Sequence, residues 1–395
     1  MDGLRTYHLS RTEQALLLLL RSGLWETPLK EPEPFPLSED EWKEVEELAT
    51  KQTVQGLVFR GMQLLPADLL PSQQQLWKWT MTITRLESDY QRILSTIAAT
   101  HALLKEADAE VWLQKGIAVA RYYDRPPWRV NGDVDWYVHT PQDFTSIGTL
   151  LRQRGYATEC RADASLCFEH EDVIVELHHH LVDFFSTRGR AAANALVHEE
   201  KTQELSLAEG TVVITPGPAT TLLMLIVHLL KHVSSVGIGL RQFCDLARAL
   251  HALHDQYDAD ALRTACHQGG IDRWCRLLGS FLSEVLALPQ EENPFSHFSV
   301  RRSATLDTSR ISKFSISHFS IPHFSISQFS IFNIFSPSRL LRDVLSSGNF
   351  RHKDSDHPSV SHTARQMIRR LPFSLCYAPS ETACYVGTLL KNKIK

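Results

Sequence analysis

Apolar residues recur at helical spacing over the N-terminal part of the chain. A capping-box pattern, Ser38 followed three residues later by Glu41, precedes a segment whose apolar side chains return every three or four positions. A second periodic stretch predicts a long helix over residues 72–107, because its apolar side chains form one continuous stripe. Such a stripe is typical of a helix that faces a core. We therefore predict a helical region over residues 1–107.

Short strand-like runs alternate with helical segments from residue 108 onward. The predicted strands cover residues 110–113, 129–138, 156–160, 166–168 and 172–178, and a helix is predicted over residues 141–155. This alternation predicts a mixed catalytic domain over residues 108–214. The break Thr215-Pro-Gly-Pro follows it, and proline suits the first turn of a helix. Periodic segments beyond the break predict an all-helical domain over residues 215–290.

The composition changes after Pro289, where Ser, Phe and Ile dominate. Four pentads centred on Phe, with the sequences KFSIS, HFSIP, HFSIS and QFSIF, follow one another over residues 313–332. Four pentads would fill only about one coil of a β-helix, whereas stacked repeats need about three units to bury a face. We therefore predict a poorly ordered low-complexity insertion over residues 291–337. Residues 338–395 return to helix-like sequence and are predicted to pack back on the core.

The length, composition and net charge of the chain limit the classes of protein to which it can belong. A chain of 395 residues with 43% hydrophobic content suits a globular protein of two or three domains, and the net charge of −4 gives no overall attraction to nucleic acid. The longest apolar run near the N-terminus, residues 15–20, is far shorter than the roughly 20 residues of a membrane span. Seven cysteines without a C-x-x-C pair suit reduced thiols. We expect a cytoplasmic protein that does not span a membrane.

Two carboxylates stand two residues apart in the strand-like run over residues 129–138. Successive side chains of a strand alternate faces, so Asp133 and Asp135 are expected to point the same way. The two anions would repel each other unless a divalent cation lay between them. Glu176, inside a second strand-like run, offers a third ligand. This pattern predicts a Mg²⁺ site, with Mn²⁺ as the alternative ion.

A glycine turn precedes these acidic residues in the chain. Lys115 and Gly116 stand between a predicted strand and a predicted helix. Glycine lets the backbone approach a phosphate, the start of the helix offers N–H groups, and Lys115 adds a positive charge. The turn is therefore a candidate phosphate-binding element.

The order of these motifs resembles that of polymerase-β-like nucleotidyltransferases. From Lys115-Gly116 through Arg129-x-x-Gly-Asp-x-Asp to Val-Glu176-Leu-His178, the chain is similar to an uncharacterised bacterial nucleotidyltransferase family of that superfamily. The segments His228-Leu-Leu-Lys-His and Gly239-Leu-Arg-Gln-Phe-Cys-Asp-Leu resemble its helical region. The resemblance covers roughly residues 10–290. It implies an α+β fold, in which a polymerase-β-like core of mixed sheet and helices is flanked by N-terminal and C-terminal helical regions.

The resemblance also implies an activity. A nucleoside monophosphate would pass from an NTP such as ATP to a hydroxyl group on a small molecule, a sugar or a protein, with release of pyrophosphate. Asp133 and Asp135 would hold the metal, and Glu176 would complete the site and accept the proton of the hydroxyl. The residues expected to bind the nucleotide are Lys115, Gly116, Arg129, Gly132 and His178. Many members of the superfamily have Gly-Ser or Gly-Gly where this chain has Lys115-Gly116.

Two other classes of function fit parts of the sequence. His178 and His180 share a strand face, while His228 and His232 stand one helical turn apart, and the two pairs together could form the metal site of a hydrolase. A non-catalytic nucleotide-binding or scaffold protein would keep the fold without turnover. The altered glycine turn favours this class. The three retained carboxylates argue against that class, because buried acids are costly unless a metal or a partner compensates them.

Overall fold

The computed structural model describes residues 7–31, 33–161, 165–207, 210–235, 237–296, 336–348 and 370–393. The low-complexity insertion predicted over residues 291–337 lies outside these ranges except for residues 291–296 and 336–337. Within these ranges the first α-helices are α1 (Arg11–Leu24), α2 (Glu39–Lys51), α3 (Gln55–Gln63) and α4 (Gln73–Glu106). The predicted capping box of Ser38 and Glu41 is present at the start of α2, and the long helix predicted over residues 72–107 is α4.

Helices α1 and α3 cross with their backbones nearly touching. A Cβ atom added to Gly23 would lie 1.9 Å from the carbonyl oxygen of Leu57, and one added to Gly61 would lie 2.1 Å from that of Leu19. Only glycine fits at such distances, so these two residues set how closely the helices pack. A larger residue at either position would force the two helices apart.

A five-stranded mixed sheet forms the centre of the molecule. Its strands are β1 (Val111–Leu113), β2 (Val134–Val138), β3 (Thr158–Cys160), β4 (Leu166–His170) and β5 (Val173–His178). They lie in the order β1-β2-β5-β4-β3, with β2 and β5 parallel and the other neighbours antiparallel. The chain adds the short helix α5 (Ile117–Ala120) after β1 and α6 (Pro141–Gln153) after β2. The mixed sheet with helices agrees with the α+β core that was predicted.

Helix α4 joins the two hydrophobic cores of the protein. Its first half places Trp79 and Ile83 in a core shared with the other helices, and its second half places Ile93 and Ile97 in the core beneath the sheet. Helix α7 (Thr187–Glu199) and the hairpin of β6 (Gln203–Ser206) and β7 (Val212–Thr215) then complete this part of the chain.

Helices make up the described part of the chain beyond residue 217. They are α8 (Pro218–Ser234), α9 (Leu240–Leu253), α10 (Ala259–Gly269), α11 (Asp272–Leu286), α12 (Pro337–Ser347), α13 (370–377) and α14 (Pro379–Lys393). Helix α12 buries Leu341 and Val344, and the Gln52 side-chain amide at the end of α2 donates to the Val344 carbonyl at 3.0 Å. The described parts of the C-terminal segment therefore contribute side chains to the core.

Two further expectations concern membrane spanning and the oxidation state of the cysteines. Within the described ranges, no helix combines the length and the apolar character needed to cross a membrane. All seven cysteine thiols are free, which agrees with the expectation of reduced thiols.

Candidate active site

The pairing of β2 with β5 brings two carboxylates together at the centre of the sheet. The parallel register sets Asp135 opposite Glu176, and His178 lies two residues further along on the same face of β5. Asp135 and Glu176 retain only 5% and 7% of their exposure. Ligand atoms of these three residues lie within 4.8 Å of one another, which is close enough to share one metal ion.

Alternation along β2 explains why Asp135 faces the site. Its neighbours Val134 and Trp136 are buried in the core beneath the sheet, and the Trp136 indole N–H donates to the Thr100 hydroxyl on α4 at 3.2 Å. With the apolar side chains of the strand held in that core, Asp135 must point to the opposite face.

Asp133 lies just before β2, because the strand begins at Val134. It is half-buried and stands outside the group formed by Asp135, Glu176 and His178. Its charge still acts on the site, since it contributes to the raised pKa of Glu176. The metal-binding role of Asp133 therefore stays a prediction.

Three cationic or hydrogen-bonding groups surround the carboxylates. The Lys115 ammonium lies 3.3 Å from Asp135 Oδ1, and His178 Nε2 lies 2.8 Å from the same oxygen. Arg161, which the sequence analysis did not select, forms an ion pair with Glu176. Each buried carboxylate thus has a counter-charge, and this offsets the cost of removing it from water.

The pKa values of the two carboxylates shift in opposite directions. Burial raises the pKa of both groups, but Lys115 and His178 outweigh it at Asp135 and hold that pKa below its ordinary value. At Glu176, burial and the negative charges of Asp135 and Asp133 together exceed the opposing effect of Arg161, so its pKa is raised. Asp135 therefore stays ionised, whereas Glu176 binds a proton more readily than Asp135 does.

The predicted glycine turn is present. Gly116 has φ of +58°, and a Cβ atom there would lie 3.4 Å from the Asp133 carbonyl oxygen. Glycine is strongly favoured at a position with this φ. Burial lowers the pKa of Lys115, but the surrounding carboxylates, with Asp135 first among them, raise it above its ordinary value. Lys115 therefore remains charged at the active site.

Arg129 lies in a separate network rather than beside the three grouped residues. Its guanidinium forms a two-point ion pair with Asp245 on α9, at 2.7 and 2.8 Å. The Tyr123 hydroxyl donates to the same carboxylate, and the Arg241 guanidinium donates to the Val130 carbonyl at 2.6 Å. A phosphate contact by Arg129 would require it to leave Asp245, and that role stays a prediction.

These contacts determine the conformation of the loop that leads into β2. Arg129 and Val130 are both tied to α9, and Gly132 is exposed at the end of the loop. The position of Asp133 thus depends on a helix more than 100 residues further along the chain, since the Arg241 contact spans 111 residues.

The two histidine pairs do not form one metal site in the part of the chain that the structure describes. His228 and His232 have ring centroids 4.3 Å apart on α8, whereas His178 contacts Asp135 and His180 is exposed. Burial and the charge of Lys231 lower the pKa of His232 to about 3. Nearby positive charge also repels a metal cation, so the hydrolase alternative has no support here.

Acid should destabilise the protein through these buried histidines. The folded-state pKa of His232, about 3, lies below the ordinary value of 6.5, so its stabilising effect is complete above pH 6.5 and is lost as the pH falls toward 3. The wild type should lose unfolding free energy when the pH falls from 7 to 5.5. His232→Gln should lose about 1 kcal/mol less than the wild type over the same range. Urea denaturation at both pH values measures this difference.

His267→Gln is the matched control, because the His267 side chain is 72% exposed. The control should lose as much stability on acidification as the wild type does. An acid response of His232→Gln equal to that of the wild type would contradict the prediction.

The acidic sheet centre and the mixed α+β architecture define the class of this protein as nucleotidyltransferase-like. Residues 38–287 match a family model described as an uncharacterised nucleotidyltransferase. The match spans well over half of the chain, and the chain belongs to this family. Membership supports nucleotidyl transfer as the general activity, with an NTP as the substrate, and makes the protein a transferase.

One solved structure with similarity to this chain is an antigenic nucleotidyltransferase-like protein from Paracoccidioides brasiliensis. The two are 16% identical, with a TM-score of 0.30, over 51% of this chain and 92% of that chain. No curated protein matches the sequence.

Proposed function

We propose that the protein is a divalent-metal-dependent nucleotidyltransferase that transfers a nucleoside monophosphate from an NTP to a hydroxyl-bearing acceptor and releases pyrophosphate. The observation that carries this proposal is the register of β2 with β5, which sets Asp135 opposite Glu176 and beside His178. The acceptor, a small molecule, a sugar or a protein, is left open.

The donor set fits a hard divalent cation. Asp135 and Glu176 offer carboxylate oxygens, which are the ligands that Mg²⁺ prefers, and Asp133 is the expected further ligand. His178 already contacts Asp135, so it would orient that carboxylate around Mg²⁺ or bind Mn²⁺ directly. The metal, when bound, supplies positive charge that polarises the α-phosphate and stabilises the leaving pyrophosphate.

Lys115 and Arg161 act as counter-charges for the carboxylates. Lys115 neutralises Asp135, and Arg161 neutralises Glu176. If these carboxylates held a divalent ion, Lys115 and Arg161 would no longer be needed as their counter-charges and would favour a polyanion nearby. Metal binding and triphosphate binding are therefore expected to strengthen each other.

The chain's own groups account for the proton transfer. The acceptor oxygen forms a bond to the α-phosphorus, and the bond from that phosphorus to the oxygen bridging to the β-phosphate breaks in line. The hydroxyl proton passes to Glu176, the carboxylate that lies opposite Asp135 in the paired strands. Lys115 stays cationic and offsets the negative charge that develops on the phosphate oxygens.

A non-catalytic nucleotide-binding protein is the second candidate, and one observation favours it. Lys115 and Arg161 already compensate the buried Asp135 and Glu176, so the carboxylates are tolerable in the fold without any metal. Retention of these acids therefore does not by itself require turnover. Release of pyrophosphate from a bound NTP distinguishes the two candidates.

Binding of NTP is expected to depend on the metal. We expect one or more of the four NTPs to bind with Mg²⁺ and to raise the melting temperature, because a ligand at 100 times its Kd adds about 2.7 kcal/mol to the unfolding free energy. Calorimetry and thermal denaturation with and without Mg²⁺ measure this, and the double variant Asp133→Ala/Asp135→Ala should lose it. A folded wild type that binds no NTP under any metal condition would refute the proposed function.

A further inference from the structure

A further ion pair, in addition to Lys115–Asp135 and Arg161–Glu176, lies near the candidate metal site. The Lys231 ammonium, on the last turn of α8, lies 3.0 Å from an oxygen of Asp183, and both side chains are half-buried. Asp183 comes five residues after the end of β5. Burial raises the pKa of Asp183, but Lys231 and then Lys115 lower it below its ordinary value. The charges of Lys231 and of Lys115 therefore both act on Asp183.

Other residues of α8 and α9 extend this positively charged region. His228 and His232 lie on the same face of α8 as Lys231, with their rings 4.3 Å apart. Burial, together with nearby cations that include Lys115 and Lys231, lowers the pKa of His228 well below its ordinary value. Both imidazoles are thus neutral at pH 7 and can form hydrogen bonds. Arg241, at the start of α9, acts on the same two histidines.

One polar atom of this cluster is buried without a hydrogen-bond partner. Nδ1 of His228 has none among the residues that the structure describes. A buried polar atom of this kind costs free energy unless a ligand or a water molecule satisfies it. The cluster is therefore suited to a bound polar group that the protein itself does not provide.

We propose that Lys231, with His228 and Arg241 beside it, forms the subsite for the β- and γ-phosphates of the NTP. This inference rests on the proposed function, in which the α-phosphate lies at Asp135 and Glu176. Lys115 then lies between the two parts of the substrate, since it contacts Asp135 and its charge also acts on Asp183.

The balance of charge favours a polyphosphate over a cation at this subsite. Once a metal takes Asp133, Asp135 and Glu176, Lys115 and Lys231 both act on the remaining carboxylate Asp183. Arg241, which also interacts with Asp245, adds a further positive charge near His228. A lysine ammonium can donate to several acceptors at once, so the pair with Asp183 is compatible with a phosphate contact.

The test uses a probe that does not depend on the identity of the base. Calorimetry would measure binding of pyrophosphate and tripolyphosphate with Mg²⁺, and binding of the preferred NTP and its NMP. We expect Lys231→Gln to weaken pyrophosphate and NTP binding by about tenfold or more, because a hydrogen bond to a charged group is lost. Binding of the NMP, which has no β- or γ-phosphate, should be unchanged.

Two further variants separate a phosphate contact from other effects. Lys78→Gln removes the same charge from an exposed position on α4, and it should bind pyrophosphate as the wild type does. Asp183→Asn removes the carboxylate and keeps Lys231, so pyrophosphate binding should be retained or strengthened. If Lys231 only stabilised the fold through its ion pair, Asp183→Asn would reproduce the loss seen in Lys231→Gln.

The outcomes also separate this inference from the proposed function. Unchanged pyrophosphate binding by Lys231→Gln, or an equal loss in Asp183→Asn, would overturn the subsite while metal-dependent NTP binding still supported the transferase. A loss that affects the NMP as much as the NTP would place Lys231 at another phosphate and would also overturn it. A wild type that binds neither polyphosphates nor NTP would refute both.

Discussion

Replacement of Asp135 by Asn is expected to lower the rate of pyrophosphate release from NTP on the order of 10³-fold. Asn has the size of Asp but no charge, so the proposed metal site would lose a ligand and Lys115 would lose its nearest counter-charge. The stability cost should be moderate, because Lys115 also interacts with Asp183, Asp133 and Glu176. The variant should therefore fold and yet be nearly inactive.

Asp172→Asn provides the matched control for this variant. Asp172 is exposed at the turn between β4 and β5 and has φ of +61°, a conformation that Asn also adopts readily. Pyrophosphate release should be measured for both variants and the wild type under saturating Mg²⁺ and NTP. Near-normal turnover by a folded Asp135→Asn variant would show that the chemistry does not depend on this carboxylate.

The local pattern of the sequence predicted most of the elements that build the site. The strand over residues 172–178 and the helix over residues 141–155 follow from periodicity, and both are present within two residues of the expected bounds. The pairing of β2 with β5 did not follow from periodicity, because strand order depends on which faces can be buried together. That pairing is what sets Asp135 opposite Glu176.

Asp133 illustrates a position that the strand pattern alone does not determine. Alternation within a strand predicted that it shares a face with Asp135, but β2 begins only at Val134. The preceding loop is tied to α9 through Asp245 and Arg241, and such distant contacts have no signature in the local sequence. The loop, not the strand, therefore determines where Asp133 lies.

The residues that the sequence analysis missed share one property. Arg161, Asp183 and Lys231 reach the site through tertiary packing, since each comes from a different segment of the chain. The His228-to-His232 segment, which contains Lys231, was noted for its family resemblance and for its two histidines, and Lys231 itself was given no role. The sequence did contain one signal for Lys231. It is a charged residue on the same face as two histidines, in a helix that is otherwise buried.

Asp245→Asn should cause the largest loss of stability among these variants. Asp245 and Arg129 form a two-point pair in which both side chains are almost completely buried. Removal of one partner leaves a buried charge uncompensated, which costs about 3–5 kcal/mol of unfolding free energy. The cost should exceed that of Asp135→Asn, because the guanidinium makes both of its carboxylate contacts with Asp245.

Urea denaturation of a double-mutant cycle tests this expectation. Arg129→Gln/Asp245→Asn removes both charges, so it should be more stable than the sum of the two single losses implies. Glu106→Gln is the control, since it breaks an Arg–Glu pair whose side chains are about half exposed, 53% for Arg154 and 46% for Glu106, and should cost about 1 kcal/mol or less. A loss for Asp245→Asn no larger than that of the control would mean that the buried pair does not hold the loop before β2. Loss of NTP binding in the double variant, at retained stability, would instead show that the charges of this network serve the substrate as well as the fold.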